Sequence, residues 1–324
     1  MQRKLYTISV LGCGRWGAFI AKYLSDVGHD VTLYGRPGSR KTEELIATRK
    51  NALMELPAGV KIETSLSAAV ADAEILVISI PSQQLRSLLR ELSALPALPK
   101  TLVLCMKGLE IGSGKRLSTV AGEELGDGVK VAVWIGPGHV QAFCAGIPNC
   151  MVIDSADEKT KKTLVDAFSG DLIRFYYGQD LVGNEIGAAA KNVVGIAAGF
   201  LDGLGVPSLK GALMSRGTRE IARLIEAVGG NPNSAYGLCH LGDYEATLFS
   251  PYSHNRRFGE AFAKGEAFGE LAEGYYTVRA LTALAEKTGV DLPICRAVED
   301  VLYRDASLSD CIKKLFGRSL KNEF

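Results

Sequence analysis

The segment "GNEIGAAAKNVVGIAAG", residues 183–199, places one ammonium group, Lys191, in a run of otherwise small and apolar residues. On a helix, Gly187, Lys191, Val194 and Ala198 fall along one side, and the other sides are almost as apolar, the pattern of a helix buried all round. Lysine is rarely buried without a partner, although its long stem can carry the charge to water from a helix edge. A partly desolvated ammonium can serve as general acid or base near neutrality, and it then needs a carboxylate to keep it charged and oriented. A second chemical pattern lies in "VLGCGRWGAFIAKYL", where Gly12, Gly14 and Gly17 follow a strand-like run and open a helix. The first glycine permits a tight turn, the second lets backbone approach a pyrophosphate, and the third lets helix and strand pack closely, with the phosphates at the helix N-terminus.

The elements that position these groups follow from the alternation of the chain. Up to about Tyr177, β-branched runs ("KLYTISVLG", "HDVTLYGR", "EILVISIPS", "TLVLCMKG", "KVAVWIGPG", "NCMVIDS", "DLIRFYYG") alternate with helix-length segments. That order predicts an α/β fold with a Rossmann-type, doubly wound parallel sheet whose later strands are open to mixed direction. Beyond "GQDLVGNE" the chain reads as successive helices, which divides it into a dinucleotide-binding domain over 1–180 and an all-α domain over 181–324, the candidate substrate and catalytic domain because it holds Lys191. The second strand ends in "TLYGRPGSRK", without the carboxylate that would accept from a ribose 2′-hydroxyl. Arg36, Ser39, Arg40 and Lys41 gather there instead, which favours NADP(H) while leaving NAD(H) possible.

Composition narrows the partners. The net charge of +1 gives no basic excess for nucleic acid or a membrane surface. Seven scattered cysteines without a C-x-x-C pair suggest neither a disulfide framework nor a zinc site, so no metal is expected and a reducing, cytoplasmic setting fits. No signal-peptide pattern opens the chain, and the longest apolar segment carries Glu185, Lys191, Asn192 and Asp202, which argues against a membrane span.

The blocks "GCGRWG", "CMKGLE", "GPG", "GNEIGAAAKNVVGIAAGFLDGLG", "MSRGTREI", "GLCHLGDYEAT", "SHNRRFGEAFAKGE", "AEGYYT" and "DLPICRAVEDVLY" follow the order and spacing of the NAD(P)-dependent glycerol-3-phosphate dehydrogenases, and the chain resembles that family over essentially its whole length. The resemblance implies reversible reduction of dihydroxyacetone phosphate to sn-glycerol 3-phosphate, a place in glycerophospholipid metabolism, and a homodimer. It implies that Lys191 donates and accepts the proton, that Asp243 pairs with it, that Thr247 completes the set, and that Lys107 is a second cation near nicotinamide and substrate. Gly136, Ser253, His254, Asn255 and Arg256 take substrate-contact positions. Arg15, Trp16, Val140 and Glu273 join the glycines, Arg36 and Lys107 as cofactor contacts.

Four departures from the family pattern touch the expected pocket. His254 stands where the family has an arginine that clamps phosphate, and Gly138, followed by His139, stands where it has a serine. The family's "GLAGLGDL" is here "GLCHLGDY", which places His240 just before Asp243, and Leu248 replaces a cysteine. Histidine offers phosphate fewer donors than the always-charged arginine fork. The grouping of His139, His240 and His254 therefore leaves open a reshaped pocket for another small anionic carbonyl compound. A dinucleotide-binding protein without turnover is disfavoured, because Lys191, Lys107, Asp243 and Thr247 are all retained.

Overall fold

The structure is a computed structural model and describes residues 4–320 and 322. The chain forms two compact units, one of 1–107 with 115–185 and the other of 108–114 with 186–324. The first contains strands β1 (Thr7–Leu11), β2 (Asp30–Tyr34), β3 (Lys61–Glu63), β4 (Ile75–Ile78), β5 (Thr101–Leu104), β6 (Lys130–Ile135), β7 (Asn149–Ser155) and β8 (Ile173–Tyr177). Helices α1 (Arg15–Asp26), α2 (Arg40–Thr48), α3 (Leu66–Ala71), α4 (Leu85–Ser93), α5 (Leu117–Leu125), α6 (Val140–Cys144) and α7 (Glu158–Phe168) alternate with them.

The strands form one sheet in the order β3-β2-β1-β4-β5-β6-β7-β8, parallel throughout except between β6 and β7. Central β4, "ILVI", is buried at every position, as a β-branched run covered on both faces must be. An aromatic group of Tyr23, Trp134, Phe168 and Phe175 fills one side of the sheet, and the Tyr23 hydroxyl donates to the Phe168 carbonyl at 2.6 Å.

The second unit is helical. Helix α8 (Leu181–Gly203) begins in the first unit, where Glu185 accepts from Arg116 and Ser118, and runs on into the second. It is followed by α9 (Lys210–Ala227), α10 (His254–Lys264), α11 (Glu273–Thr288), α12 (Pro293–Tyr303) and α13 (Leu308–Phe316). Ile186, Ala189, Val193, Ile196 and Phe200 of α8 join Ile221, Leu281 and Val298 in its core, while Val194 and Ala198 pack on another side against Tyr244 and Leu248. Between α9 and α10 the chain makes short turns, including a π-helical turn over Glu245–Phe249. Gly265 and Gly289 end α10 and α11 in the left-handed conformation, the usual glycine stop. The segment 108–114 adds Leu109, fully buried, to the second core. No helix among the described residues is long and apolar enough to cross a membrane.

Candidate active site

In the first unit the three glycines of the β1–α1 turn meet three different constraints. Gly12 has φ +115°, and a side chain there would run into the Ser79 carbonyl; at Gly17 it would run into the Gly12 carbonyl, so strand and helix touch backbone to backbone. At Gly14, the N-cap of α1, no atom lies within 4 Å of where a Cβ would stand. The turn is thus closed on the protein side and open where a pyrophosphate would approach, which fits a dinucleotide. Arg15 and Trp16 follow on α1, and the Lys107 ammonium lies 5.9 Å from the Trp16 ring and donates to the Gly136 carbonyl at 2.5 Å. Lys107 follows β5 and Gly136 follows β6, so both stand with the glycine turn at the carboxyl ends of parallel strands, where open α/β sheets take their ligands. Val140 opens α6 and is buried. Arg36, Arg40 and Lys41 are exposed around the start of α2, and none of them makes an ion pair among the described residues.

In the second unit, the Lys191 ammonium is 3.0 Å from an Asp243 carboxylate oxygen and donates to the Thr247 hydroxyl at 2.8 Å. Lys191 is 8% exposed, Asp243 and Thr247 1% each. At such burial a charge must be paired and hydrogen-bonded, and here it is. The reason for the small residues is now visible: Gly187, Gly195, Gly199 and Gly203 follow Lys191's own side of α8 at four-residue spacing. Side chains at these glycines would strike His240, Thr247, the Arg256 carbonyl and Ala263, respectively. Lys191 interrupts a glycine seam along which the neighbouring backbone lies directly on the helix.

Asn255 sits beside this seam, donating to Asn192 at 3.0 Å and accepting from the Gly274 amide at 2.9 Å, at the start of the helix headed by Glu273. Asn192, buried next to Lys191, is absent from the sequence-derived site, although a second polar residue in the same apolar run was its signal. Ser253 caps α10 by accepting from the Arg256 amide. Arg256, expected at substrate, directs its guanidinium elsewhere: to Asp202 at 2.7 Å, Glu260 at 2.9 Å and the Ser250 carbonyl at 3.1 Å. Asp202 also holds buried Lys210, which donates to the Leu248 carbonyl at 3.0 Å. Two cations on one carboxylate thus fasten the turn just after Thr247, an arrangement the sequence did not disclose.

The departures from the family pattern separate in space. His254 turns both ring nitrogens to acceptors, Nδ1 to the Leu271 carbonyl at 3.1 Å and Nε2 to Glu270 at 2.7 Å. Gly138 has φ +137°, and a Cβ would stand 2.5 Å from the Phe143 ring, so serine does not fit the backbone here. His139 is half-buried as the N-cap of α6. His240, read from sequence as part of a reshaped pocket, is instead fully buried and bonded within the protein, because Tyr244 one turn on covers it.

A turn shaped for a pyrophosphate at the carboxyl ends of a parallel sheet, in one chain with a buried acid–base pair, places the protein among dinucleotide-dependent oxidoreductases. Comparison with known proteins narrows the class. Residues 7–161 match the family model for the NAD-dependent glycerol-3-phosphate dehydrogenase N-terminus and residues 180–313 that for the C-terminus. The chain belongs to this family. Relatives include a glycerol-3-phosphate dehydrogenase [NAD(P)+] of Prosthecochloris aestuarii, 36% identical with 98% of this chain and 99% of that one covered. One of Corynebacterium glutamicum is also 36% identical, with 98% and 100% covered. The crystal structure of glycerol-3-phosphate dehydrogenase from Coxiella burnetii superposes with a TM-score of 0.90 at 28% identity, covering 97% of this chain and 99% of that one.

Proposed function

We propose that this chain catalyses the reversible, NAD(P)H-dependent reduction of dihydroxyacetone phosphate to sn-glycerol 3-phosphate, with NADP(H) preferred and NAD(H) accepted. Full-length similarity to glycerol-3-phosphate dehydrogenases [NAD(P)+] supports the reaction, and the observation that carries it is the buried Lys191 ammonium held between Asp243 and Thr247. The nicotinamide, when bound, supplies the hydride for C2 of the ketone. Lys191 gives its proton to the oxygen on which charge develops at C2 and recovers it in the reverse direction. Asp243 keeps the ammonium charged and aimed, Thr247 fixes its rotation, and Lys107 acts as the second cation for the substrate. Gly136, Ser253 and Asn255 are assigned to the substrate, and the glycine turn, Arg15, Trp16, Arg36, Val140 and Glu273 to the cofactor. Arg256 is reassigned to holding the turn after Thr247.

A second reading, a dehydrogenase for another small anionic carbonyl compound, draws support from His254, whose ring nitrogens are engaged by Leu271 and Glu270 where the family arginine would face phosphate. The test is loss of nicotinamide absorbance with dihydroxyacetone phosphate titrated beside dihydroxyacetone. Saturable turnover with the phosphorylated compound alone supports the first reading, and turnover only with other anionic ketones or aldehydes supports the second. Lys191→Ala is expected to cost about 10²- to 10⁴-fold in kcat with NADPH binding retained, and an unchanged kcat removes Lys191 from the mechanism. The resemblance also supports a cytoplasmic homodimer, and the dinucleotide domain expected over 1–180 and catalytic domain expected over 181–324 correspond to the two compact units except that 108–114 joins the second and 181–185 the first; light scattering of the purified protein tests the dimer.

A further inference from the structure

His240 and Tyr244 are the two positions around Asp243 at which this chain replaces the family's glycine and leucine, and in the structure they meet. The His240 Nδ1 lies 2.9 Å from the Gly187 carbonyl and its Nε2 lies 2.7 Å from the Tyr244 hydroxyl. A carbonyl only accepts, so Nδ1 carries the hydrogen and Nε2 takes the hydroxyl's. Burial pushes the ring down to about 4, the Gly187 bond and Asp243 opposing and Lys191 assisting, so near neutrality the ring stays uncharged in this single tautomer. Both residues are fully buried, with ring centroids 4.9 Å apart.

The pair straddles the site in both chain segments. On α8, Gly187 is one turn before Lys191, while Val194 and Ala198, which pack on the Tyr244 ring, lie after it. On the other segment His240 and Tyr244 flank Asp243, whose amide donates to the His240 carbonyl at 3.0 Å. Space for both is provided by glycine: a Cβ at Gly187 would stand 3.0 Å from that of His240, and one at Gly217 3.2 Å from the Tyr244 hydroxyl. Each residue alone would bury a polar group without its present partner, so the two departures from the family pattern form one unit.

We propose that His240 and Tyr244 form a hydrogen-bonded bracket that positions Asp243 against Lys191. The proposal deepens the reading of Lys191 and Asp243 as the catalytic pair and rests on it. Both are positioning residues, acting through the aspartate rather than on substrate.

The experiment compares the unaltered protein with Tyr244→Phe, which keeps the ring and removes the hydroxyl. A second variant, His240→Asn, keeps a donor on the side of Gly187 and withdraws the acceptor from Tyr244. Thermal midpoint, kcat and KM with NADPH and dihydroxyacetone phosphate, and the titration of the Lys191 ammonium by nitrogen NMR are measured. Either variant is expected to lower kcat about tenfold or more while KM for NADPH stays within about twofold, the pattern of a displaced catalytic group. The Lys191 ammonium should release its proton at lower pH than in the unaltered protein, because its carboxylate partner is held less firmly. A lowered thermal midpoint with kcat and the Lys191 titration unchanged would overturn the bracket and leave a structural pair. If the unaltered protein shows no turnover with this substrate while Tyr244→Phe still moves the Lys191 titration, the substrate assignment fails and the bracket stands.

Discussion

Replacing Gly195 by alanine should impair catalysis more than it impairs folding. The position is one turn beyond Lys191 on the same side of α8, and a Cβ there would lie 2.7 Å from the Thr247 methyl and 3.3 Å from the Asn255 Cβ. The first distance is 0.7 Å inside the 3.4 Å at which ordinary contact begins. The helix cannot easily back away, because Ile186, Ala189, Val193 and Ile196 on its other sides are already close-packed in the helical core. Thr247 must therefore shift or rotate, and either movement takes its hydroxyl off the Lys191 ammonium. Overpacking of this kind costs about 1–3 kcal/mol. Alanine in place of a mid-helix glycine returns about 1 kcal/mol, so the net loss of stability is small. Displacing a positioning group by a sizeable fraction of an ångström costs about ten- to a hundredfold in rate. The assay is kcat at saturating NADPH and dihydroxyacetone phosphate, beside a thermal melt and NADPH binding by fluorescence. Gly203→Ala is the control: its Cβ would lie 2.5 Å from that of Ala263 and 2.8 Å from the Glu260 carbonyl, so stability should fall with kcat retained. An unchanged kcat in Gly195→Ala would refute the argument that the seam sets the geometry of Lys191.

Two further predictions concern pH and cofactor. Glu220 is buried and caps α12 by accepting from the amides of Ile294 and Cys295 at 2.9 and 3.0 Å; burial, against those bonds, pushes its carboxyl up from 4.5 to about 7. Because the folded value is raised, the contribution to stability is complete below pH 4.5 and is lost as pH rises through 7. Urea unfolding should therefore show about 3 kcal/mol of this contribution fading between pH 5 and 8, and Glu220→Gln should flatten the slope; an equal slope in the variant would assign it to other groups. Arg36→Asp should move the ratio of kcat/KM for NADPH over NADH toward NADH by about tenfold, since it removes an exposed cation at the end of β2 and supplies a ribose acceptor; an unchanged ratio would sink the assignment of Arg36 to a 2′-phosphate.

How much could be read without coordinates depended on whether a signal was local. Seven strands were legible because each is an apolar or β-branched run, whereas β3, the three residues "KIE" at the sheet edge, carries no such pattern. The later strands were open to mixed direction, but nothing local marked β6 and β7 as the pair that reverses, since a short helix and its loops can return the chain in either sense. Lys191 was found because a charge in an apolar helix is conspicuous, and the resemblance led to Asp243 and Thr247. The glycines were legible as small residues, but not as the contact surface of a particular neighbour. His240 and Arg256 were read toward substrate because a motif gives position along the chain and not direction in space. Tyr244 and Asp202 decide where those side chains point, and both are tertiary partners.

The short segment 108–114 bears on whether the two units can live apart. The chain leaves the first unit at Lys107, contributes Leu109 to the second core, and returns at Lys115 before leaving again at Glu185. A fragment starting at Ile186 would open a leucine-sized hole where Leu109 stood, at a cost of about 2–5 kcal/mol, and it would lose the bond from Lys287 to the Ser113 carbonyl. The complementary fragment would carry an apolar loop with no core to enter. Dissection of this enzyme by a single cut is therefore unfavourable on either side of the cut, and a protease that nicks the loop should loosen the helical unit before it touches the sheet.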